Sequence, residues 1–410
     1  MEKNDTLPLH YAWLIVISGV LILHAVLGLG RFALGMLLPS MATGLELGFD
    51  QIGLIGTFNF TGYLLAVVVA GKLTAAFGYR SVITAGILIV ACSMVMVSQS
   101  QNFAAVSIAL AFQGIGSGLA NVPLMGLVSH WFHSSRRGQA AGLLMMGNSL
   151  GIILSGALVP LINQSVGVEG WRVNWQIFSL IAFFTTLLAT FLLRNSPADK
   201  GLTPLGQPSQ HPPIKTPDPA HATRIVLHIG AIYFLFGFSY VIYATFIVTS
   251  LVNDYQMSEK MAGQFWLWIG AISLVSGPVF GALSDRIGRK KTMILVFTLL
   301  TCAYLLVALT RDSASLYLSV LLFGLCVWSI PPIIAVTVAD YLGMERAVTA
   351  IGLVTLFFGI GQISGPALAG MLADSQGSFA PGFMLAGSMT ATAIVLTALL
   401  KKPKYQPIQH

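Results

Sequence analysis

Apolar residues in this chain fall into long runs separated by short polar breaks; strict alternation and isolated amphipathic stripes are both rare. A helix rises about 1.5 Å per residue, so about 20 predominantly apolar residues cross the hydrocarbon of a bilayer. Runs of that order lie near 12–41, 50–77, 81–99, 103–132, 138–166, 172–194, 224–252, 262–284, 291–310, 314–342, 346–373 and 381–400. The pattern predicts an all-α integral membrane protein with 12 transmembrane helices. The apolar signal lapses for longer only once. Between Asn195 and Thr223 the stretch "SPADKGLTPLGQPSQHPPIKTPDPAHAT" is rich in Pro, Ser, Gln and His, the composition of an extended linker. It divides the chain into a six-helix bundle at 1–195, a cytoplasmic linker at 196–223 and a second six-helix bundle at 224–410.

Composition supports this reading. Of 410 residues, 56% are hydrophobic and 9% charged, with a mean hydropathy of +0.82, too apolar for a soluble core wrapped in polar surface. Glu2 and Asp5 precede a first run too long for a signal peptide, so that run is expected to stay as a helix. Cys92, Cys302 and Cys326 all lie within runs and match neither metal spacing nor a disulfide framework; they read as small core residues. No metal or cofactor is called for.

Charge then sets the orientation. With the N-terminus inside, the inner loops and helix ends receive Lys3, Lys72, Arg80, Arg136, Arg137, Arg194, Lys200, Lys215, Arg224, Arg286, Arg289, Lys290, Lys291, Arg346, Lys401, Lys402 and Lys404. The outside receives Arg172, Lys260 and Arg311. That asymmetry predicts both termini in the cytoplasm and a multi-pass protein of the cell inner membrane. The net charge of +7 belongs to this pattern and requires no nucleic-acid partner.

The six-and-six division prompts a search for an internal repeat. Gly71 and Gly281, Gly78 and Gly288, Gly114 and Gly324, Gly142 and Gly352, and Gly151 and Gly361 are each 210 residues apart. Glycine is common in membrane helices, but one offset shared by several helices implies two bundles related by a pseudo-twofold axis along the membrane normal, an architecture of secondary transporters.

The segment "GALSDRIGRKKT" resembles the G-x-x-x-D-R-x-G-R-[KR] loop signature of the major facilitator superfamily. "RNSPADKGLTPLG" and "GYRSVITAG" look like bacterial monocarboxylate and organic-anion permeases, and "GFSYVIYATF" looks like the YbfB-like branch. The resemblance implies the superfamily's fold and a gating motif at Gly71, Gly78, Arg80, Gly281, Asp285, Arg286, Gly288, Arg289 and Asp340. Asp285 is expected to face the positive N-terminus of the eleventh helix, and Asp340 to pair with Arg286 or Arg289. The first copy departs from the signature, with Ala75 where the second has Asp285.

Arg31 is the one charge inside the first run, about 7 Å beyond its midpoint toward the outside. Facing lipid there costs several kcal/mol, so it should face the bundle interior, unless it snorkels to the outer interface or pairs with helix carbonyls. His24, Gly28 and Arg31, spaced four and three apart, share a face of an α-helix. Shifted by 209 they become Tyr233, Gly237 and Tyr240 in the seventh run, which the superfamily sets opposite the first. No acidic residue falls in the middle of a span, so a buried Arg31 needs an anion from elsewhere, and a substrate carboxylate supplies one. His24 is the side chain able to titrate near neutral pH. Tyr240 and Tyr243 are candidate hydroxyl donors. Asn121, Asn148, Trp328 and Gln362 are further candidates, with interhelical packing as the alternative for each.

These readings point to a transporter of a small organic anion, a monocarboxylate, working as a monomer by alternating access with proton symport. Efflux of a neutral hydrophobic or aromatic compound is the alternative, favoured by Trp266, Trp268, Trp328 and the tyrosines. An intramembrane enzyme is disfavoured by the lack of HExxH, GxSxG or paired membrane carboxylates. A sensor or scaffold would need neither the gating motif nor its loop.

Overall fold

A computed structural model describes residues 10–207 and 219–401. The central part of the linker, with Lys215 and Asp218, lies outside the described residues, as do Glu2, Lys3, Asp5, Lys402 and Lys404.

The described residues form helices α1 (Tyr11–Leu45), α2 (Phe49–Phe77), α3 (Tyr79–Gln99), α4 (Phe103–Trp131), α5 (Ser134–Val166), α6 (Gly170–Leu192), α7 (Pro219–Asn253), α9 (Arg289–Leu309), α11 (Met344–Gln376) and α12 (Ala380–Leu399). Two spans are broken: α8 into Glu259–Ser273 and Ser276–Ile287, bent by 41°, and α10 into Ser313–Cys326 and Ile330–Leu342. All are long and apolar enough to cross a membrane, counting the two parts of α8 as one span, and an even number of crossings puts both chain ends on one face. That face is called the near face below, and the opposite one the far face.

The 210-residue offset runs through the helix boundaries. Tyr79 and Arg289, Phe103 and Ser313, Ser134 and Met344, and Gly170 and Ala380 open corresponding helices. Gly78 and Gly288 turn the chain at φ 79° and 92°, a left-handed conformation open to glycine without strain. Asn102 and Asp312 cap α4 and α10 by accepting the backbone N–H of Ala105 at 2.9 Å and Ser315 at 2.8 Å.

Helices α1 and α7 are the central ones. Around them, α2 packs on α11 and α5 on α8, joining the first six helices to the last six. On the far side these joints are close backbone contacts. A Cβ at Gly53 would come 2.5 Å from Pro366 O, one at Gly156 would come 2.8 Å from Gly263 O, and one at Gly270 would come 2.8 Å from Ile153 N. Toward the near side of the same helices, a Cβ at Gly71, Gly142, Gly281 or Gly352 meets nothing within 4 Å. The molecule is closed at the far face and parted at the near face.

Two expectations need correction. Cys92 and Cys302 are exposed on outer helix faces, and only Cys326 is buried; equivalent positions 210 apart point the same way, toward the membrane rather than the core. Asp285 does not face α11. The repeat maps α8 onto α2 and α11 onto α5, so α8 lies across from α5 while α11 lies across from α2. Asp285 is well exposed and pairs with Arg289 one turn on.

Candidate functional site

Arg31 sits where α1 leaves α-helical geometry. Residues His24–Phe32 form a π-helix, and this segment contains Gly28 and Gly30. In a π-helix hydrogen bonds run from i to i+5, so each turn holds more residues and side chains fall out of α-helical phase. His24, Gly28 and Arg31 therefore do not share a face as their spacing predicts. Gly28 lies on α5, where a Cβ would come 2.9 Å from Gly151 Cα and 3.1 Å from Gly147 O. His24 lies on the same neighbour, its backbone nitrogen 2.8 Å from the place of a Gly147 Cβ, and its Nδ1 is buried without a hydrogen-bond partner. Arg31 is turned to α2 instead.

There its guanidinium stacks on Phe60, 3.9 Å from the ring centroid, and on Tyr63 at 4.8 Å. Arg31 is 8% exposed, and its Nε and Nη2 are buried without a hydrogen-bond partner. No described acidic residue pairs with it. Withdrawing a cation from water costs several kcal/mol, and stacking returns about 0.5–2 kcal/mol. The arginine is left short of an anion. Beside it Arg31, Phe32, Asn59, Phe60, Val241 and Thr245 help enclose a cavity of ≈ 10 Å³, about enough for one water.

Two tyrosines come within electrostatic range of the guanidinium, one from each half of the chain. Tyr63 on α2 accepts a hydrogen bond from Asn121 Nδ2 on α4 at 2.8 Å. Tyr240 on α7 accepts one from Gln362 Nε2 on α11. Arg31, Tyr63 and Tyr240 lie within electrostatic range of one another. Tyr240 also belongs to a stacked ladder with Phe236 (5.0 Å) and Phe358 (5.8 Å), and Tyr233 stacks on Phe358 at 4.3 Å.

The structure thus gathers Arg31, Tyr233, Tyr240, Asn121 and Gln362 into one region. Tyr243 is elsewhere: it bonds Ser319 Oγ at 2.8 Å and stacks on Phe323 at 4.1 Å, inside the last six helices. Asn148 is buried, with Nδ2 3.8 Å from Met145 Sδ. Trp328 lies at the break in α10, where its backbone N–H bonds Ser276 Oγ at 3.1 Å at the break in α8. Its indole N–H crosses to Ser149 Oγ on α5 at 3.2 Å and its ring meets Phe32 edge-on at 5.0 Å, a joint between the halves. Trp266 is buried and donates to Ser155 Oγ at 3.1 Å, and Trp268 is exposed on an outer face.

Sequence reasoning missed Tyr63 and Phe60, the two rings that hold the arginine. Asn59 and Tyr63, four apart in an apolar run, form a polar stripe on one face of α2 that could have marked them.

At the near face, Arg289 donates to Ser284 Oγ at 2.6 Å, pairs with Asp285 and reaches Asp340 at 3.4 Å. Gly71, Gly78, Gly281 and Gly288 serve the two loops, and Arg80 bonds Thr190 O at 2.5 Å. Arg286 lies in the last turn of α8.

A polytopic bundle of paired six-helix repeats, closed at one face around a buried polar centre, is the build of a secondary transporter and not of an enzyme. The chain belongs to the major facilitator superfamily: residues 23–399 match the family described as "Uncharacterised MFS-type transporter YbfB". It is similar to the hexuronate transporter of Bacillus subtilis, with 23% identity over 92% of this chain and 91% of that one. It is similar also to monocarboxylate transporter 11 of Homo sapiens, with 24% identity over 92% and 80%. Among solved structures it resembles the nucleoside transporter NupG, with a TM-score of 0.72 and 16% identity over 94% of this chain and 100% of that one, which speaks to the fold. The protein is a transporter of organic substrates.

Proposed function

We propose that this protein carries a small organic anion, a monocarboxylate, by alternating access about a site centred on Arg31. The carrying observation is the buried guanidinium whose Nε and Nη2 have no partner and which no described acid neutralises. Tyr63 and Tyr240 accept hydrogen bonds from carboxamides, so each keeps its own O–H proton to donate. The guanidinium and the two hydroxyls thus offer donors, and a carboxylate, with about four acceptor positions, matches them. Relatives named for hexuronate and monocarboxylate transport agree with that class.

Neutralising Arg31 lets the halves close over a dry centre; the parted near face is the state in which substrate exchanges on that side. By the excess of Lys and Arg the near face is cytoplasmic, and the membrane is the inner membrane. A carboxylate and a proton cross together as a neutral unit, so the coupling is symport, with His24 the titratable candidate. One chain holds the whole site, so the monomer is the working unit. Asp285, Arg289 and Asp340 form the near-face latch, open here and closing on α5 when the molecule rocks.

The test is uptake of labelled carboxylates into proteoliposomes under an inward proton gradient, comparing wild type with Arg31→Gln. Gradient-driven uptake in wild type and its loss in a folded mutant is the expected result. Equal uptake by the mutant removes Arg31 from the site. If neither moves a carboxylate, efflux of a neutral aromatic compound takes its place, with the Tyr233–Phe358 ladder as the feature that favours it.

A further inference from the structure

The two carboxamides that support the tyrosines are bonded at one end only. Asn121 Nδ2 and Gln362 Nε2 are used on Tyr63 and Tyr240, while Asn121 Oδ1 and Gln362 Oε1 are buried without a partner. Gln362 is 1% exposed, and its Oε1 is buried. A buried carbonyl oxygen left unbonded carries a desolvation penalty that a hydroxyl donor removes. The site therefore has two kinds of unmet demand: donors around Arg31 that want a carboxylate, and two acceptors beside them that want O–H groups.

We propose that the transported anion is a hydroxylated carboxylate, a hydroxy acid or sugar acid, whose carboxylate lies on Arg31 and whose hydroxyls donate to Asn121 Oδ1 and Gln362 Oε1. This rests on the anion reading above and sharpens it. The acceptors lie one in each half of the chain, on α4 and α11, so a substrate with hydroxyls at both ends of its reach joins the two halves. An alkanoate of the same length satisfies the arginine and leaves both oxygens orphaned. Sites built to hydrogen-bond a substrate hydroxyl reject the analogue lacking it far more strongly than apolar pockets reject a missing methylene.

The experiment measures binding to the purified full-length protein by calorimetry, and counterflow in proteoliposomes, with two matched sets: propionate, lactate, glycerate and malonate, then hexanoate, gluconate and adipate. The expected result is that the hydroxylated member of a set is preferred over its alkanoate by at least about tenfold. In Asn121→Leu and in Gln362→Leu the ratio of hydroxylated-acid to alkanoate affinity falls toward unity. Equal binding of hydroxylated and plain acids overturns the inference and leaves the anion site standing. Preference for malonate or adipate also overturns it, because it means the carboxamides turn their N–H groups to a second carboxylate. Preference unchanged in both folded variants overturns it too. Absence of binding by every acid overturns the anion reading itself, and this inference with it.

Discussion

The far-face closure can be forced apart at two places, and the cost can be worked from the contacts. A Cβ at Gly53 would lie 2.5 Å from Pro366 O and 3.0 Å from Gly370 Cα; one at Gly263 would lie 2.5 Å from Pro160 Cγ and 2.6 Å from Gly156 O. Ordinary contact begins near 3.4 Å, so each methyl must be relieved by about 0.9 Å, and three of the four obstacles are backbone. Overpacking of this kind costs about 1–3 kcal/mol per site. The sites lie in different joints, α2 on α11 and α5 on α8, so their effects add to about 2–6 kcal/mol. At about 1.4 kcal/mol per tenfold, Gly53→Ala with Gly263→Ala disfavours far-face closure by about 30-fold to 20,000-fold. Gly53→Trp with Gly263→Trp should hold that face open outright. Ser155 reports the change: it is buried between α5 and α8, where Trp266 donates to it at 3.1 Å. In a background lacking Cys92, Cys302 and Cys326, Ser155→Cys should react slowly with a membrane-impermeant maleimide from the far side, and fast once the wedges are present. A labelling rate that stays unchanged in monodisperse wedged protein would refute the claim that these glycines seal the far face.

Three further outcomes are expected. Gly28→Val should lower the melting temperature of the purified protein, because its Cβ meets Gly151 Cα at 2.9 Å and Gly147 O at 3.1 Å, backbone that cannot turn aside; an unchanged melting curve would deny the tight α1–α5 crossing. Tyr63→Phe and Tyr240→Phe should each weaken carboxylate uptake about three- to tenfold in apparent affinity by deleting one donor, and kinetics identical to wild type in both would remove the tyrosines from the site. Asp340→Asn should cost less than about 1 kcal/mol of stability, since its pair with Arg289 is partly exposed and 3.4 Å long, yet it should alter the balance of near-face-open and far-face-open populations seen in the same maleimide assay.

Much was legible without coordinates because the bilayer narrows the choices. A backbone in hydrocarbon must satisfy its own hydrogen bonds, so long apolar runs become helices and their count fixes the topology. The repeat was legible too, because Gly78 and Gly288 must both adopt positive φ at the same turn. The π-helical segment was not. Nothing in "HAVLGLGRF" forces the extra residue per turn; it follows from α1 fitting against Gly147 and Gly151 on one side and Phe60 on the other. An α-helical phase put Arg31 on the face of His24, and the true phase puts it over α2.

Residue spacing and charge, then, determined the membrane class, the repeated six helices and a buried arginine with no acid of its own, since all three depend on local composition and backbone chemistry. Which groups meet that arginine was decided by packing between distant helices. Tyr63 and Tyr240 lie far apart in the chain and come together because glycines let α2, α7 and α11 approach closely. The same packing sends Tyr243, three residues from Tyr240, into the core beside Ser319. Side-chain direction depends on helix rotation, and rotation is fixed only when the neighbouring helices are in place.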